Sequence, residues 1–291
     1  MLNPLAAAPR RARRLDRAIA IAGGAASFST LAVFGWIVWD LIRLGLPNLS
    51  WHFLTGEVET AGRSGGIGPV LVSTLLILLC CLAVAVPLGI GCAVWLSEFV
   101  RRGSRASRIV TGGVDLLASV PSIVFGLFGM TFFCQVLGLG FSILSGGLTL
   151  ACMILPILVR TTLLALEGLP ADLRPGAAAL GLTRTTTLRQ VLLPTALPGI
   201  LVAITLGVGR ALSETAALLF TSGYSTRWPD SLGESGRALS VHIYDLAMNI
   251  PNGSPNASAS ALVLLVLILL INLTATGLTE RWTRHLSGTT S

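Results

Sequence analysis

Hydrophobic positions fall into six long runs separated by polar, arginine-bearing connectors. Three of the runs, 19–39, 69–96 and 259–277, are almost unbroken, and each supplies the roughly 20 apolar residues a helix needs to cross a hydrocarbon core. The other three, 114–137, 143–166 and 197–222, are interrupted by Gly, Pro, Ser or Arg. A backbone in lipid must satisfy its own hydrogen bonds, so runs of this length predict helices. The pattern predicts an all-α polytopic membrane protein with six transmembrane helices.

Helical spacing within the fifth run sets out a stripe. Gly199, Ala203, Gly207, Arg210, Glu214, Ala217 and Thr221 advance by three or four residues, while the opposite face is apolar. Small residues at this spacing let helices approach closely. A charged pair needs a further reason, because Arg210 and Glu214 each cost about 2.5–3.5 kcal/mol in mid-membrane. At i and i+4 they are near enough to neutralise each other. Two readings are open. The pair holds helices in register, or Arg210 serves an anion pathway, its forked guanidinium matching a tetrahedral oxyanion, while Glu214 orients it and keeps binding weak enough for release. Arg160, which follows Pro156 in the fourth run, is either a second guanidinium on that pathway or a side chain snorkelling to the cytoplasmic face.

The third run carries a similar stripe, Asp115, Ser119, Ser122, Gly126 and Gly129, through a Val-Pro-Ser step. Pro121 removes a backbone donor there, which makes Ser119, Pro121 and Ser122 a pathway wall or hinge, or else an ordinary kink in a packing helix.

Charge orients the spans. Arg10, Arg11, Arg13, Arg14 and Arg17 precede the first run and place the N-terminus in the cytoplasm. Alternation then brings Arg101, Arg102, Arg105, Arg108, Arg174, Arg184, Arg189, Arg281 and Arg284 to the same side, leaving Arg43, Arg63, Arg227 and Arg237 outside. Both termini are expected in the cytoplasm. The first run is too long for a cleavable signal peptide and ends in WDLIRLG, without a small-residue cleavage site, so it is expected to remain as an anchor. The expected organisation is a disordered basic tail over 1–17, a first transmembrane helix over 18–42 and an external loop over 43–68. A five-helix transmembrane domain over 69–281 follows, with a coupling loop at 167–197 and an external loop of little regular structure at 223–258, then a tail over 282–291. Trp51 and Phe53 in the first external loop suit the headgroup region.

Composition agrees and narrows the chemistry. The 291 residues are 53% hydrophobic and only 11% charged. All 20 basic residues are arginine. Without lysine the chain can form neither a Walker A phosphate loop nor a Schiff base, so nucleotide energy has to come from a partner. The basic balance would suggest nucleic acid in a soluble protein, but these arginines flank the spans. The five cysteines lie within spans at no metal-binding or disulfide spacing, and the three histidines are scattered. Catalytic residues, a metal site and a cofactor in this chain are not expected.

The connector 166–199 is too long for a turn and too polar to span. It reads as two short helices divided by Gly181, which supplies a left-handed C-terminal position. The first helix is expected from about Asp172 to Leu180. The second is expected from about Arg184 to Leu193, with Thr183 as N-cap and Pro194 as its stop. Leu188, Val191 and Leu192 then share one face, and Arg184, Thr187 and Gln190 turn away. Pattern alone leaves a protein-docking surface and a bilayer-surface amphipathic loop equally open.

The segment AAALGLTRTTTLRQVLLPTALPG in this connector resembles the EAA loop of ABC importer permeases. LLASVPSIVFGLFG, LPILVRTTLLALEGLPADLR and GRALSETAALLFTSG, in order and on the expected spans, are similar to the phosphate importer branch, its PstA-type permease subunit. The resemblance covers about residues 65–281. It departs at the start of the loop motif, where Pro175 and Gly176 stand in place of the usual Glu-Ala, so that the first coupling helix is expected to start later than usual.

The resemblance implies the type I importer permease fold in a bacterial inner membrane. It further implies a PstC-type second permease, a PstB-type ATPase pair binding ATP and Mg, and a PstS-type external phosphate-binding protein. Ala177, Ala178, Ala179, Leu180, Gly181, Leu193 and Pro194 would carry the ATPase coupling, and Arg160, Arg210 and Glu214 the phosphate passage. The EAA-like loop alone also allows a permease for another oxyanion such as molybdate or sulfate. A secondary transporter would be expected to show inverted repeats, which are not convincing here.

Overall fold

The computed structural model describes residues 10–101 and 103–286, with the backbone alone for residues 10–14, 278–279 and 281–286. Residues 1–9 and 287–291 of the expected tails, Arg102, and the side chains of Arg10, Arg11, Arg13, Arg14, Arg281 and Arg284 lie outside the described residues. The chain folds as helices α1 Arg10–Gly45, α2 Trp51–Thr55, α3 Gly68–Val94, α4 Arg105–Ser119, α5 Ser122–Gly129 and α6 Ile143–Glu167. They are followed by α7 Leu173–Ala179, α8 Arg184–Thr187, α9 Leu193–Leu212, α10 Ala216–Leu219, α11 Leu239–Met248 and α12 Ser254–Leu286. Single turns with i→i+5 hydrogen bonding prolong α3 to Phe99 and α5 to Val136, and join α8 to α9 across Leu188–Leu192.

The core is the contact of α3 with α6, and of α6 with α9. Glycines set the spacing. A Cβ at Gly147 would lie 2.6 Å from Cys80 Cβ, and one at Gly89 would lie 2.7 Å from Leu158 Cβ. These pairs advance together along both helices, so α3 and α6 run parallel. Against α9 the order reverses, Gly207 lying beside Ile154 and Leu158 and Gly199 beside Ala165. Ile77, Cys81, Leu150, Ile154, Leu158 and Ala203 fill the space between. The five cysteines are free thiols.

α1 stands off this body. None of its most apolar stretch is buried, and it meets α12 where Gly45 lies against the Ser258 carbonyl. It starts at Arg10, inside the segment expected to be a disordered tail.

The third run differs from a kinked span. α4 and the Ser122–Val136 helix are bent by 101° at Val120–Pro121, so five helices and one bent pair are long and apolar enough to cross a membrane among the described residues. Proline at the head of α5 accounts for the break, since it donates no hydrogen bond back into α4 and favours an extended residue before it, as Val120 is at ψ 128°.

Both connectors expected outside carry more structure than their composition suggests. In the first, Ser50 caps α2 by accepting from the Phe53 N–H at 3.1 Å. Phe53 is buried with Ile67, Val70, Leu239 and Ala259 rather than lying in headgroups, while Trp51 is exposed. The second forms α11 because Leu239, Val241, His242 and Leu246 bury against α3 and α12. Arg237 ties it down, pairing with Asp245 at 3.0 Å and donating to the Tyr224 carbonyl at 3.2 Å.

A candidate anion pathway and a candidate docking face

Helix α9 ends at Leu212, so the stripe from Gly199 to Thr221 is not one helical face. Glu214 sits in the break before α10, and its two carboxylate oxygens divide the work. One receives the Ala217 N–H in the first turn of α10 at 3.3 Å; the other pairs with Arg210 Nη2 at 3.4 Å. The Glu214 carbonyl accepts the Ser240 hydroxyl at 2.5 Å, which joins the break to α11. The pair is lopsided. Glu214 is buried, whereas 47% of the Arg210 side chain is exposed.

Arg160 does not stand alone on α6. Its guanidinium pairs with Asp115 of α4, both side chains about half exposed. The partner was legible only as a member of the third-run stripe; nothing in the linear sequence connects it to a residue 45 positions later. Because α6 and α9 are antiparallel, Arg160 lies level with residue 204 of α9. A rise of about 1.5 Å per residue then sets it some 9 Å nearer the connector between α6 and α9 than Arg210. The fold thus places two open guanidiniums on adjacent helices at two depths, each against one carboxylate.

The Val-Pro-Ser candidates lie at the 101° bend. The Ser119 hydroxyl donates to its own Leu116 carbonyl at 2.7 Å, and the Pro121 carbonyl receives Val124 N–H at 3.0 Å at the start of α5. The cavity of about 330 Å³ beside them is lined by apolar side chains including Leu117, Val120, Phe125, Phe128 and Leu155. These contacts suit a bend better than an anion-binding wall.

Beyond the end of α6 the connector expected in the cytoplasm forms two helical pieces. Gly181 takes φ +74°, and the Thr183 hydroxyl caps α8 through the Thr186 N–H at 3.2 Å. Leu180 and Gly181 are exposed with Ala178 and Ala179, while Ala177 is buried. Three expectations change. Pro175 and Gly176 do not delay α7, which begins at Leu173, because the first turn of a helix has no internal partners for its N–H groups and proline costs nothing there. Pro194 does not stop the second helix. The i→i+5 turn over Leu188–Leu192 carries the chain into α9, giving one continuous helix Arg184–Leu212 in which Leu193 and Pro194 are interior. Thr187 is buried rather than turned away.

Spacing also missed the strongest polar contact of this face. Arg174 donates to both oxygens of Glu98, its Nη2 reaching Oε1 at 2.6 Å, and to the Leu166 carbonyl at 3.1 Å. The hydrogen bonds to Glu98 hold the Arg174 guanidinium above its ordinary pKa against the opposing effect of burial.

Residues 85–287 match the family described as binding-protein-dependent transport system inner membrane component. The chain belongs to this family. The permease is 33% identical over 75% of its length to a "Probable ABC transporter permease protein YqgI" of Bacillus subtilis, covering 78% of that protein. It is 35% identical over 66% of its length to a "Phosphate transport system permease protein PstA" of Xylella fastidiosa, covering 67% of it. A PstA homolog of Mycoplasma pneumoniae is much longer; at 33% identity the permease spans 34% of it. Among solved structures, a bacterial alginate ABC transporter in complex with a pentasaccharide-bound periplasmic protein has a chain that superposes with TM-score 0.67 at 17% identity. That match covers 94% of the permease and 96% of that chain. The fold is therefore that of a type I ABC importer permease, and the protein is a transport subunit of the inner membrane.

Proposed function

We propose that this permease forms half of the translocation pathway of an ATP-driven phosphate importer. It pairs with a PstC-type permease, sits on a PstB-type ATPase dimer that binds ATP and Mg, and receives phosphate from a PstS-type external protein, with both of its termini in the cytoplasm. The observation that carries this reading is the pair of half-exposed guanidiniums, Arg160 and Arg210, on antiparallel α6 and α9. An open charge on an apolar helix is costly against lipid and suits a water-lined boundary between subunits. Guanidinium suits a tetrahedral oxyanion through its fork, and each neighbouring carboxylate keeps the anion from binding too tightly to leave. The PstA-named relatives support phosphate as that anion.

In this arrangement Arg210 and Arg160 receive phosphate in turn, from outer to inner depth. Glu214 orients Arg210, Pro121 provides a hinge beside the pathway, and the exposed Ala178–Gly181 corner enters the ATPase. The test is uptake into vesicles that contain the permease with its partner chains. ATP-dependent phosphate uptake that excess sulfate or molybdate does not displace is expected; preferential uptake of either competitor overturns the phosphate reading.

A further inference from the structure

We infer that Arg174 is a positioning residue that transmits movement of the docking helix α7 to the spans α3 and α6, through a clamp with Glu98. The inference rests on the transport reading above and names the mechanical link within it. Arg174 lies in the first turn of α7, and one guanidinium holds the ends of two parallel spans at once. Glu98 belongs to the i→i+5 turn that prolongs α3, and Leu166 to the last turn of α6. Glu98 is itself oriented by the Ser97 hydroxyl at 2.7 Å. The Glu98 side chain is 14% exposed and that of Arg174 34%, so the contact is partly screened from water.

Adhesion alone does not require this clamp. Leu166, Leu188, Leu192 and Ala196, with Ile90, Val94 and Leu173, already hold the connector against α3, α6 and α9. Apolar contact is non-directional, whereas a forked guanidinium against a carboxylate and a carbonyl fixes angle as well as distance. α7 has no acidic residue of its own, since Pro175 and Gly176 occupy its first turn after Arg174. The charged connection from this helix to the membrane domain therefore runs outward from Arg174 to an acid on a span.

The experiment compares wild type with Glu98→Gln, Arg174→Lys, Arg174→Ala and the exchange of the two residues, each assembled with its ATPase, partner permease and binding protein in vesicles. Phosphate moved per ATP hydrolysed is the readout, with complex yield measured alongside. The single variants are expected to assemble and hydrolyse ATP while the ratio falls at least about fivefold, the low end of an ordinary coupling free energy. Arg174→Lys should rescue little because it lacks the fork, and the exchange should recover part of the ratio. In a background without the native cysteines, Glu98→Cys and Arg174→Cys joined by a reducible bis-thiosulfonate cross-linker that replaces the length of the two side chains should couple, and should uncouple when the linker is reduced, which keeps the test alive if single variants assemble poorly. An unchanged ratio in the single variants, or a cross-link that makes no difference, overturns the clamp and leaves the transport reading intact. Failure of the wild-type complex to transport any oxyanion overturns that reading and the clamp with it.

Discussion

Glu214 joins two structural roles at one residue, as the acid that faces Arg210 and as the acceptor for a backbone N–H in the first turn of α10. The roles separate by substitution. Glu214→Gln keeps an acceptor for the Ala217 N–H and should leave the melting temperature near wild type, whereas Glu214→Ala should cost about 1 kcal/mol, the usual net worth of one hydrogen bond. Thermal melts of the purified protein check both. Arg210→Ala should leave assembly intact, because the buried carboxylate keeps its backbone partner, yet lower phosphate uptake about tenfold or more, as loss of a charge-assisted contact implies. Arg210→Lys should recover little. Poor assembly of Arg210→Ala that Arg210→Met with Glu214→Leu restores, with normal uptake, would assign the pair to helix register. His242 of α11 makes the second residue-level prediction. It is fully buried with both ring nitrogens unpartnered, and burial, reinforced by Arg237 and opposed by Asp245, lowers its pKa from 6.5 to about 4. Between those values the unfolded chain binds the proton and the folded one does not, so stability should fall as pH drops through that window, by roughly 3 kcal/mol at most. Melts at pH 7 and pH 5 should differ more for wild type than for His242→Leu.

At the scale of elements, Gly181 and Pro194 show where local rules hold and where they are overridden. A positive φ after a short helix is a requirement on one residue, and Gly181 meets it at +74° with open space around its Cβ position. A substitution there acts through the backbone alone. Gly181→Val should strain α7 by about 1–2 kcal/mol and weaken ATPase binding, while Gly181→Asn, which tolerates that conformation, should retain most of it. Pull-down of the ATPase by the two variants decides the matter; equal binding would show that the corner is not the docking element. Pro194 obeys no such single-residue rule. Whether proline ends a helix depends on whether its missing donor can be accommodated, and the i→i+5 turn just before it supplies that freedom. The mirror case is Pro121, where the helix breaks through 101° instead of bending mildly. α11 was hidden for a different reason. Its ten residues lie in a polar connector, and only packing on α3 and α12 makes so short a helix stable.

For the whole molecule, the decisive property is how the spans cross. Cysteines at Arg105 and Arg227, both exposed in the structure, should label from the cytoplasm and from outside respectively in a background without the five native thiols. Labelling of both from one side would refute the alternation derived from the arginines.

Six apolar runs were enough to determine a polytopic helical protein, because hydrogen bonding in lipid leaves a chain few options. The glycine corner of the connector and the out-of-place charges of Arg160 and Arg210 were legible for a similar reason: each is a local feature, a dihedral angle or a charge in an apolar run. Partners were not legible. Asp115 beside Arg160, Glu98 beside Arg174 and Ser240 beside the Glu214 carbonyl are 45, 76 and 26 residues apart in the chain. Such pairs exist only once α4 meets α6, α7 meets the end of α3 and α11 meets the break after α9, so the tertiary structure alone could decide which group meets which, and which face each arginine leaves open.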